Sequence, residues 1–484
     1  MVKPSLQKGS IVDGYLVEEC LHRGGMATLW RVSNPGSTMP MLMKIPKIAE
    51  GEDPAAIVSF EMEQMILPRL SGPHVPRFIA AGDFTSQPHI VMERIEGKTL
   101  YSRLPELPLP YAEVAAIGAK IALALDDLHR QHVIHLDIKP SNIMIRPSGE
   151  VVLLDFGLSH HCQLPDLMQE EFRLPYGSAP YMAPEQLRGL RNDRRSDIFA
   201  LGALLYFFST GVRPFGKAES LAWMRRRLWR DPVPPCGLRP DYPPWLQEIV
   251  LRCLEIEPSW RYPTAAQLAF DLANQNQIKL TARSERIRQD AWTTVLRRRF
   301  NTDLSKSGPT IGPATELSSA PIIAVAVDLA GGNRVLDDIL RSMTARLLKT
   351  MPGARLACIN VLKLGHNTLE TTLDEDGHNK HIERLTALKH WAKPLGLEDG
   401  RLTVHVLEEV DPAKAILEFS RTNRVEHILI GARQNSLMRS LLGSVSARVA
   451  GEANCCVSIV RPARMEADPN PSRKMEPAAA RASR

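Results

Sequence analysis

The first 275 residues of the chain change from a strand-like to a helix-like pattern of apolar positions. Between Tyr15 and Lys47, apolar residues alternate with polar ones around the turn-forming pair Gly24 and Gly25, which predicts two or three antiparallel strands. From Ala112 onward, apolar residues recur every three or four positions, as on one face of a helix; they are Val114, Ile117, Ile121, Ala124, Leu125 and Leu128. The sequence therefore predicts a small strand-rich lobe followed by a larger helical lobe.

A third pattern begins near residue 319, where short runs rich in Val and Ile alternate with helical stretches. The runs are IIAVAVD (322–328), RLACINVL (355–362), LTVHVLEE (402–409), HILIGA (427–432) and CCVSIVR (455–461). Continuous apolar runs of this kind are typical of parallel strands that helices cover on both faces. The pattern predicts a second domain with an α/β doubly wound parallel sheet.

The segment between these two regions is basic at first and then rich in Ser, Pro and Gly. Gln275 to Phe300 contains seven basic residues against two acidic ones, and Ser305 to Ser319 is typical of a linker. Apolar residues alternate with the basic ones and predict an amphipathic helix, which packs between the two domains or docks on an acidic surface or membrane. Packing between the domains is the favoured interpretation. The predicted domains are 10–275, with lobes 10–97 and 98–275, then a linker 276–318, a second domain 319–462 and a disordered tail 463–484.

Composition and charge exclude several classes of protein. The net charge of +6 in 484 residues is small and does not predict a nucleic-acid partner. The longest apolar run, Phe199 to Phe208, has about half the roughly 20 residues of a transmembrane helix, so we expect a cytoplasmic protein without a transmembrane segment. The seven cysteines form no CxxC pair, so their spacing predicts neither a disulfide framework nor a zinc site.

The most informative stretch is HLDIKPSNIMI followed by VVLLDFGLS. It places Asp137 and Asn142 in one loop and Asp155 thirteen residues after Asn142. Transfer of a γ-phosphoryl group requires magnesium ligands and a carboxylate near the accepting hydroxyl, and these residue types supply both. The stretch resembles the eukaryotic-type Ser/Thr protein kinase family, and the resemblance covers about residues 10–275. It implies an α+β two-lobed kinase fold with ATP and Mg²⁺ as cofactors.

The resemblance also implies a role for each of these residues. Asp137 would accept or orient the substrate hydroxyl proton, and Lys139 would lie beside the transferred phosphate. Asn142 and Asp155 would each hold a Mg²⁺ ion.

Upstream, LHRGGMATLWRV resembles the glycine-rich turn that covers the ATP phosphates. Gly24 and Gly25 would supply the close backbone approach, and Lys44, paired with Glu63, would bind the α- and β-phosphates. By the same resemblance, the backbone of the segment that follows the apolar strand takes the adenine edge. That segment contains Met92, Glu93 and Arg94.

The helical lobe carries motifs that distinguish protein kinases from other phosphotransferases. By resemblance, Ser178 in YGSAPYMAPEQL contacts the catalytic loop, and Asp197 braces the backbone of that loop. Arg261 would pair with Glu185, since a buried charge needs a partner. A small-molecule phosphotransferase of the kinase-like superfamily, the first alternative function, would not need these residues.

Two positions depart from the family pattern. His22 stands at the first glycine position of the turn, and Leu136 stands where most regulated kinases have arginine before the catalytic aspartate. That arginine pairs with a phosphate on the activation segment, which leucine cannot do. We therefore expect activity that does not depend on phosphorylation of that segment. The two departures support a second alternative, a pseudokinase scaffold. Within the same segment, we expect the adjacent His160 and His161 to face solvent.

The second domain resembles the universal stress protein family over about residues 319–462. The resemblance implies a second nucleotide site, with phosphate held by a glycine-containing loop and a helix N-terminus; its residues would be Asp328, Gly431, Gly443 and Ser444. Gln434 occupies one glycine position of that loop, and its spacing to Gly443 is one residue short. A dimerisation module, through which the chain forms a homodimer, or a sensing module is therefore favoured over ATP binding.

Together these features predict an ATP- and Mg²⁺-dependent Ser/Thr protein kinase. It would phosphorylate hydroxyl groups of protein substrates, and of itself, in bacterial stress signalling.

Overall fold

The structure is a computed structural model. It describes residues 6–47, 55–82, 87–172, 175–216, 220–300, 321–329, 334–351, 353–363, 379–398, 400–432 and 444–461. The predicted linker stretch 305–319 and the predicted tail 463–484 lie outside these residues. Every helix in these ranges lacks the combination of length and apolar character that spanning a membrane requires.

The small lobe is an antiparallel sheet with one long helix. Its strands pair in the order β1-β2-β3-β4-β6-β5; they are β1 (Ile11–Val12), β2 (Tyr15–Arg23), β3 (Ala27–Asn34), β4 (Ser37–Pro46), β5 (Phe78–Gly82) and β6 (His89–Glu93). In β4, Met41, Met43 and Ile45 alternate into the core, as the period of two predicts. This alternation places Lys44 on the opposite face from that core. Helix α1 (Ala55–Ile66) contacts β4.

The large lobe is mostly helical, which agrees with the predicted two-lobed kinase fold. Its helices are α2 (Tyr111–Arg130), α3 (Leu167–Glu171), α4 (Arg195–Thr210), α5 (Leu221–Met224), α6 (Pro235–Leu238), α7 (Pro244–Cys253) and α8 (Ala265–Ala273). Short strands lie near the junction of the lobes; they are β7 (Lys98–Thr99), β8 (Val133–Ile134), β9 (Ile143–Ile145), β10 (Val151–Leu153) and β11 (His160–His161). Helix α2 packs against α4 and α8. A methyl group at Gly118 would lie 2.6 Å from Leu205, so glycine permits the close approach of α2 and α4.

The predicted basic amphipathic helix is present as α9 (Trp292–Phe300). Arg298 forms ion pairs with Asp231 and Asp290, so this helix lies on the large lobe. None of its side chains is buried, and Trp292 is 74% exposed. The expectation that this helix is packed between the two domains is therefore wrong for the residues that the structure describes.

The second domain is the predicted α/β domain. Its strands are all parallel and pair in the order β14-β13-β12-β15-β16; they are β12 (Ile322–Ala326), β13 (Arg355–Lys363), β14 (Leu402–Glu409), β15 (His427–Gly431) and β16 (Cys456–Val460). The helices are α10 (Arg334–Thr350), α11 (Lys380–Ala392), α12 (Pro412–Thr422) and α13 (Ser444–Glu452). The chain turns in opposite directions from the central β12, which is the arrangement of a doubly wound sheet.

The second domain contacts α3 and α1 of the first domain. Arg355 on β13 lies 2.7 Å from Glu170, and the imidazole of His405 on β14 lies 2.9 Å from Glu171 and 3.1 Å from Glu170. Apolar packing accompanies these pairs, because buried side chains of both domains, Leu164 and Leu388 among them, belong to one hydrophobic cluster. The interface thus joins a buried charge cluster to apolar packing.

The charge of His405 predicts a pH dependence of stability. Burial alone would lower the pKa of His405, but Glu170 and Glu171 raise it to about 9. The unfolded pKa is about 6.5, so this contribution to stability is complete below pH about 6.5 and is lost as the pH rises through about 9. We expect the thermal midpoint to fall more between pH 7 and 9.5 in the wild type than in His405→Gln. Replacement of His427, which pairs with the Ser458 hydroxyl, is the matched control. Equal falls in the wild type and His405→Gln would contradict the assignment.

Candidate active site

The loop between β8 and β9 surrounds the buried side chain of Asp137 with donors. One carboxylate oxygen accepts the backbone N–H of Ser178 at 2.9 Å. The other accepts the ammonium of Lys139 at 2.7 Å and the side-chain amide of Asn142 at 3.0 Å. The predicted catalytic residues of this loop and Ser178 of the substrate-positioning loop therefore meet at one carboxylate, although the sequence separates them by up to 41 residues.

Lys44 joins the two lobes across the cleft. Its ammonium nitrogen lies 2.5 Å from a Glu63 oxygen on α1 and 2.8 Å from Asp155 Oδ1. Phe156, next to Asp155, is buried, and its N–H donates to the Glu63 carboxylate on α1 at 3.4 Å. Gly157 follows, and a methyl group there would lie 2.1 Å from the Ser59 hydroxyl oxygen. Only glycine allows this close approach of the segment to α1.

Asp155 keeps its charge and faces the cleft. Burial would raise the pKa of this carboxyl, but the charge and hydrogen bond of Lys44, helped by Lys139, lower it to about 2. The side chain is 46% exposed, so its oxygens remain accessible. The carboxylates of Asp155 and Glu63 in turn hold the pKa of Lys44 above its ordinary value, against the effect of burial. Asp155 and Lys44 are therefore charged near neutral pH, whereas burial raises the pKa of Glu63.

Asp197 holds the backbone of the catalytic loop. Its two carboxylate oxygens accept the N–H groups of His135 and Leu136 at 2.8 Å each. His129 Nε2 lies 2.9 Å from the same carboxylate. Leu136 has a φ of 60°, which a branched side chain rarely adopts. Asp197 therefore stabilises a backbone conformation that leucine alone would disfavour.

A buried ion pair supports the loop that contains Ser178. Both guanidinium NH₂ groups of Arg261 lie close to the Glu185 carboxylate, at 2.6 and 2.8 Å. The Ser196 hydroxyl donates to Glu185 at 2.7 Å, and Arg261 also donates to three backbone carbonyls. The predicted pair is thus formed, and each group has several partners inside the lobe.

The glycine-rich turn is closed by hydrogen bonds of its own. The N–H of Gly24 donates to the Ala27 carbonyl at 2.9 Å. A methyl group at Gly24 would lie 3.5 Å from the imidazole of His22, so the departure from glycine at position 22 places a ring beside this turn. A methyl group at Gly25 would have no neighbouring atom within 4 Å. The turn is therefore open at its second glycine.

In the predicted adenine-binding segment, two backbone N–H groups have partners within the protein. The N–H groups of Glu93 and Arg94 donate to the carbonyls of Arg77 and Pro40, both at 2.9 Å. The Glu93 carboxylate lies 2.8 Å from Arg146. These two N–H groups therefore already have partners within the protein.

The candidate nucleotide residues of the second domain are only partly described. Asp328 is exposed just after β12, and Gly431 ends the neighbouring parallel strand β15. Ser444 is the exposed first residue of α13, and Gly443 lies outside the described residues. A methyl group at Gly431 would lie 3.0 Å from Leu336, so this glycine packs against α10. A second nucleotide site stays a prediction.

Several residues of the site escaped sequence reasoning. His135 packs against Phe156 with 5.4 Å between ring centroids, and Gln186 donates to the Leu136 carbonyl at 2.9 Å. Both residues adjoin motifs already identified, so a role in the site could have been predicted from their position beside those motifs. The glutamates of α3 carry no comparable local signal, because Arg355 lies 185 residues from Glu170.

The adjacent histidines are buried, so the expectation that they face solvent is wrong. His160 Nδ1 lies 3.1 Å from the Asp166 carboxylate, which also binds Arg191 at 2.7 Å. Burial would lower the pKa of His160, but hydrogen bonds to Asp166 and Cys162 raise it to about 9. Burial lowers the pKa of His161 to about 4. The first histidine is therefore a structural cation of the activation segment.

Two family models match the sequence. Residues 15–271 match the family described as "Protein kinase domain", and residues 322–461 match the "Universal stress protein family". A probable serine/threonine-protein kinase of Clostridium perfringens is 30% identical over 259 residues, which cover 53% of this chain and 38% of the relative. Serine/threonine-protein kinase PknB of Mycolicibacterium smegmatis is 31% identical over 265 residues, 54% of this chain and 42% of the relative. The crystal structure of the Mycobacterium tuberculosis PknI kinase domain is 25% identical and covers 56% of this chain and 100% of that one, with a TM-score of 0.44.

The chain spans less than half the length of the two curated relatives. The protein kinase match covers more than half of the chain, and a match to the universal stress protein family follows it. This chain belongs to the protein kinase family and carries a universal stress protein domain at its C-terminal side.

Proposed function

We propose that the chain is an ATP- and Mg²⁺-dependent Ser/Thr protein kinase. The observation that carries the proposal is the simultaneous formation of two clusters. Lys44 pairs with Glu63 and Asp155, and Asp137 contacts Lys139, Asn142 and the Ser178 backbone. Phosphoryl transfer is mainly positioning and electrostatic stabilisation, so the alignment of these groups is the main requirement. A pseudokinase would not need all of them in place.

The residues that would hold a nucleotide and its metal fit those groups chemically. Asp155 offers a half-exposed ionised carboxylate, and Asn142 offers an amide oxygen, both of which are ligand types that Mg²⁺ prefers. The Lys44 ammonium is charged and is held by Glu63, so it can bind phosphate oxygens. When bound, Mg²⁺ would supply neutralisation of the triphosphate charge.

Asp137 is the residue we assign to the substrate hydroxyl. Its carboxylate is oriented by Ser178 N–H and Asn142, so it can accept a hydrogen bond from a serine or threonine without a change of rotamer. Lys139, 2.7 Å from Asp137, adds positive charge where the phosphoryl group would be transferred. This arrangement positions the hydroxyl and favours loss of its proton.

Protein substrates are favoured over small molecules by the loop around Ser178. The Ser178 N–H binds the Asp137 carboxylate, and the buried Glu185–Arg261 pair anchors the end of this loop. A small-molecule phosphotransferase has no use for a loop held against the catalytic carboxylate in this way. We therefore propose protein hydroxyls, including those of the chain itself, as acceptors.

The proposal is tested by incubating the full chain with γ-labelled ATP, Mg²⁺ and a generic protein substrate. We expect label on phosphoserine and phosphothreonine of the substrate and of the chain. Omission of Mg²⁺ is the control for metal dependence. Label found only on small molecules, or no transfer by the wild type, would refute the proposal.

Activity should not require phosphorylation of the activation segment. Among its hydroxyls, Ser159 is buried and donates to the His135 carbonyl, and Tyr181 is buried as well. Leu136 offers no cation to a phosphate. We expect the combined variant Ser159→Ala, Tyr176→Phe and Tyr181→Phe, which keeps Ser178 because its loop contacts Asp137, to retain at least about half of the wild-type rate, since the backbone contacts of the segment persist. Near-complete loss of ATP turnover in a variant that still folds would contradict this.

A further inference from the structure

Helix α3 of the activation segment lies between helix α1 and the universal-stress-like domain. It contacts α1 on one side and both β14 and α12 on the other. Its apolar side chains Leu167 and Met168 are buried. At its N-terminus, the Asp166 side chain accepts the Gln169 N–H and binds His160 and Arg191. This short helix is therefore held by the kinase at one end.

The other end of α3 is held by cations of the second domain. Glu170 binds Arg355, and Glu171 binds His405, while the Asn423 side chain donates to the Glu170 carbonyl. All four charged side chains of this cluster are buried. A carboxylate removed from water without a cation is strongly disfavoured, and here each buried glutamate has a cation of the second domain beside it.

The same domain reaches the helix that carries Glu63. Lys389 on α11 lies 2.5 Å from Glu61, which is two residues before Glu63 on α1. Glu63 in turn pairs with Lys44 in the cleft. The universal-stress-like domain thus contacts both elements whose positions decide whether the cleft is aligned, and the aligned Lys44–Glu63 pair is present in the docked arrangement.

Leu136 explains why such a contact would matter in this chain. Where an arginine precedes the catalytic aspartate, an activation-segment phosphate can be held by that arginine. Here the position is apolar, and two anionic groups of the segment, Glu170 and Glu171, are held by Arg355 and His405. In these two pairs the activation segment supplies the anion and the other domain supplies the cation.

We propose that the face of the universal-stress-like domain formed by Arg355, His405 and Lys389 is an activating interaction surface for the activation segment and helix α1 of its own kinase domain. This inference rests on the proposed kinase activity. Docking orders α3 through its carboxylates and holds α1 with Glu63 beside Lys44. Loss of docking therefore lowers the rate without removing any group of the active site.

The test uses the full chain with Arg355→Glu, which opposes the Glu170 carboxylate. We expect about tenfold slower transfer to a protein substrate, within the usual range of coupling between sites. We also expect faster hydrogen exchange in α3 and α1. The charge-swapped variant Arg355→Glu with Glu170→Arg should recover most of the rate, which separates loss of docking from misfolding. Arg448→Glu is the matched control, because Arg448 pairs with Asp411 and Glu452 inside the second domain.

The outcomes separate this inference from the proposed function. No transfer by the wild type would refute the kinase assignment, while hydrogen exchange in α3 would still report whether docking occurs. If the wild type transfers phosphate and Arg355→Glu is equally fast or faster, the activating role is overturned. Exchange in α3 that is identical in the wild type and Arg355→Glu would overturn the docking itself.

Discussion

Replacement of Asp137 by alanine is expected to lower the rate of phosphoryl transfer by about 10²–10⁴-fold, the usual contribution of a positioned acid–base group. The substitution removes the carboxylate that Ser178 N–H, Lys139 and Asn142 orient. It leaves Lys44, Glu63 and Asp155 intact, so ATP should still bind. The measurements are labelled transfer to protein and equilibrium ATP binding by the full chain.

Two comparisons sharpen this prediction. Asp155→Ala should also lower the rate of transfer strongly, but by weakening Mg²⁺-supported ATP binding, since Asp155 is the half-exposed carboxylate beside Lys44. Asp241→Ala removes a surface carboxylate that contacts Arg239 and Tyr111, and it should leave the rate near that of the wild type. Transfer unchanged in Asp137→Ala would refute the assignment of the site.

Replacement of Arg261 by methionine is expected to destabilise the kinase domain by about 3–5 kcal/mol, because the Glu185 charge would stay buried without its partner. The guanidinium is fully buried and donates two hydrogen bonds to Glu185. It also donates one hydrogen bond to each of the carbonyls of Arg195, Glu255 and Ile256. The measurement is urea unfolding followed by hydrogen exchange in α2 and α4, which isolates the large lobe from the second domain.

The controls test whether the uncompensated charge is the cause. The double variant Arg261→Met with Glu185→Met removes both charges and should recover part of the lost stability. Arg130→Met breaks a surface pair with Asp126, and Arg130 is 73% exposed, so its cost should be below about 1 kcal/mol. A loss in Arg261→Met no larger than that of Arg130→Met would contradict the prediction.

Local pattern was enough to predict the architecture. The period of two around Gly24 and Gly25 and the period of three to four from Ala112 are properties of neighbouring residues, and both correspond to observed elements. The apolar runs after residue 319 likewise became the parallel strands of the second domain. Hydrophobic periodicity acts within one element, so the sequence alone carries it.

Long-range pairs could be predicted only where a family motif marked both partners. Lys44 and Asp155 are separated by 111 residues and meet at 2.8 Å, and the resemblance identified each of them. The His160 environment had no such marker, because its partner Asp166 belongs to no recognised motif and its burial depends on packing around β11. The position of α9 could not be predicted either, because an amphipathic pattern does not specify the surface on which the helix packs.

By itself, the sequence determined the order of the lobes, the α/β character of the second domain, and the identity of the charged groups that a kinase site requires. Only the tertiary structure decided that Glu170 and Glu171 of the activation segment meet Arg355 and His405 of another domain. The physical reason is that buried charge pairing depends on which surfaces come together. The paired residues are separated by 185 and 234 positions in the sequence, and no periodic pattern predicts their contact.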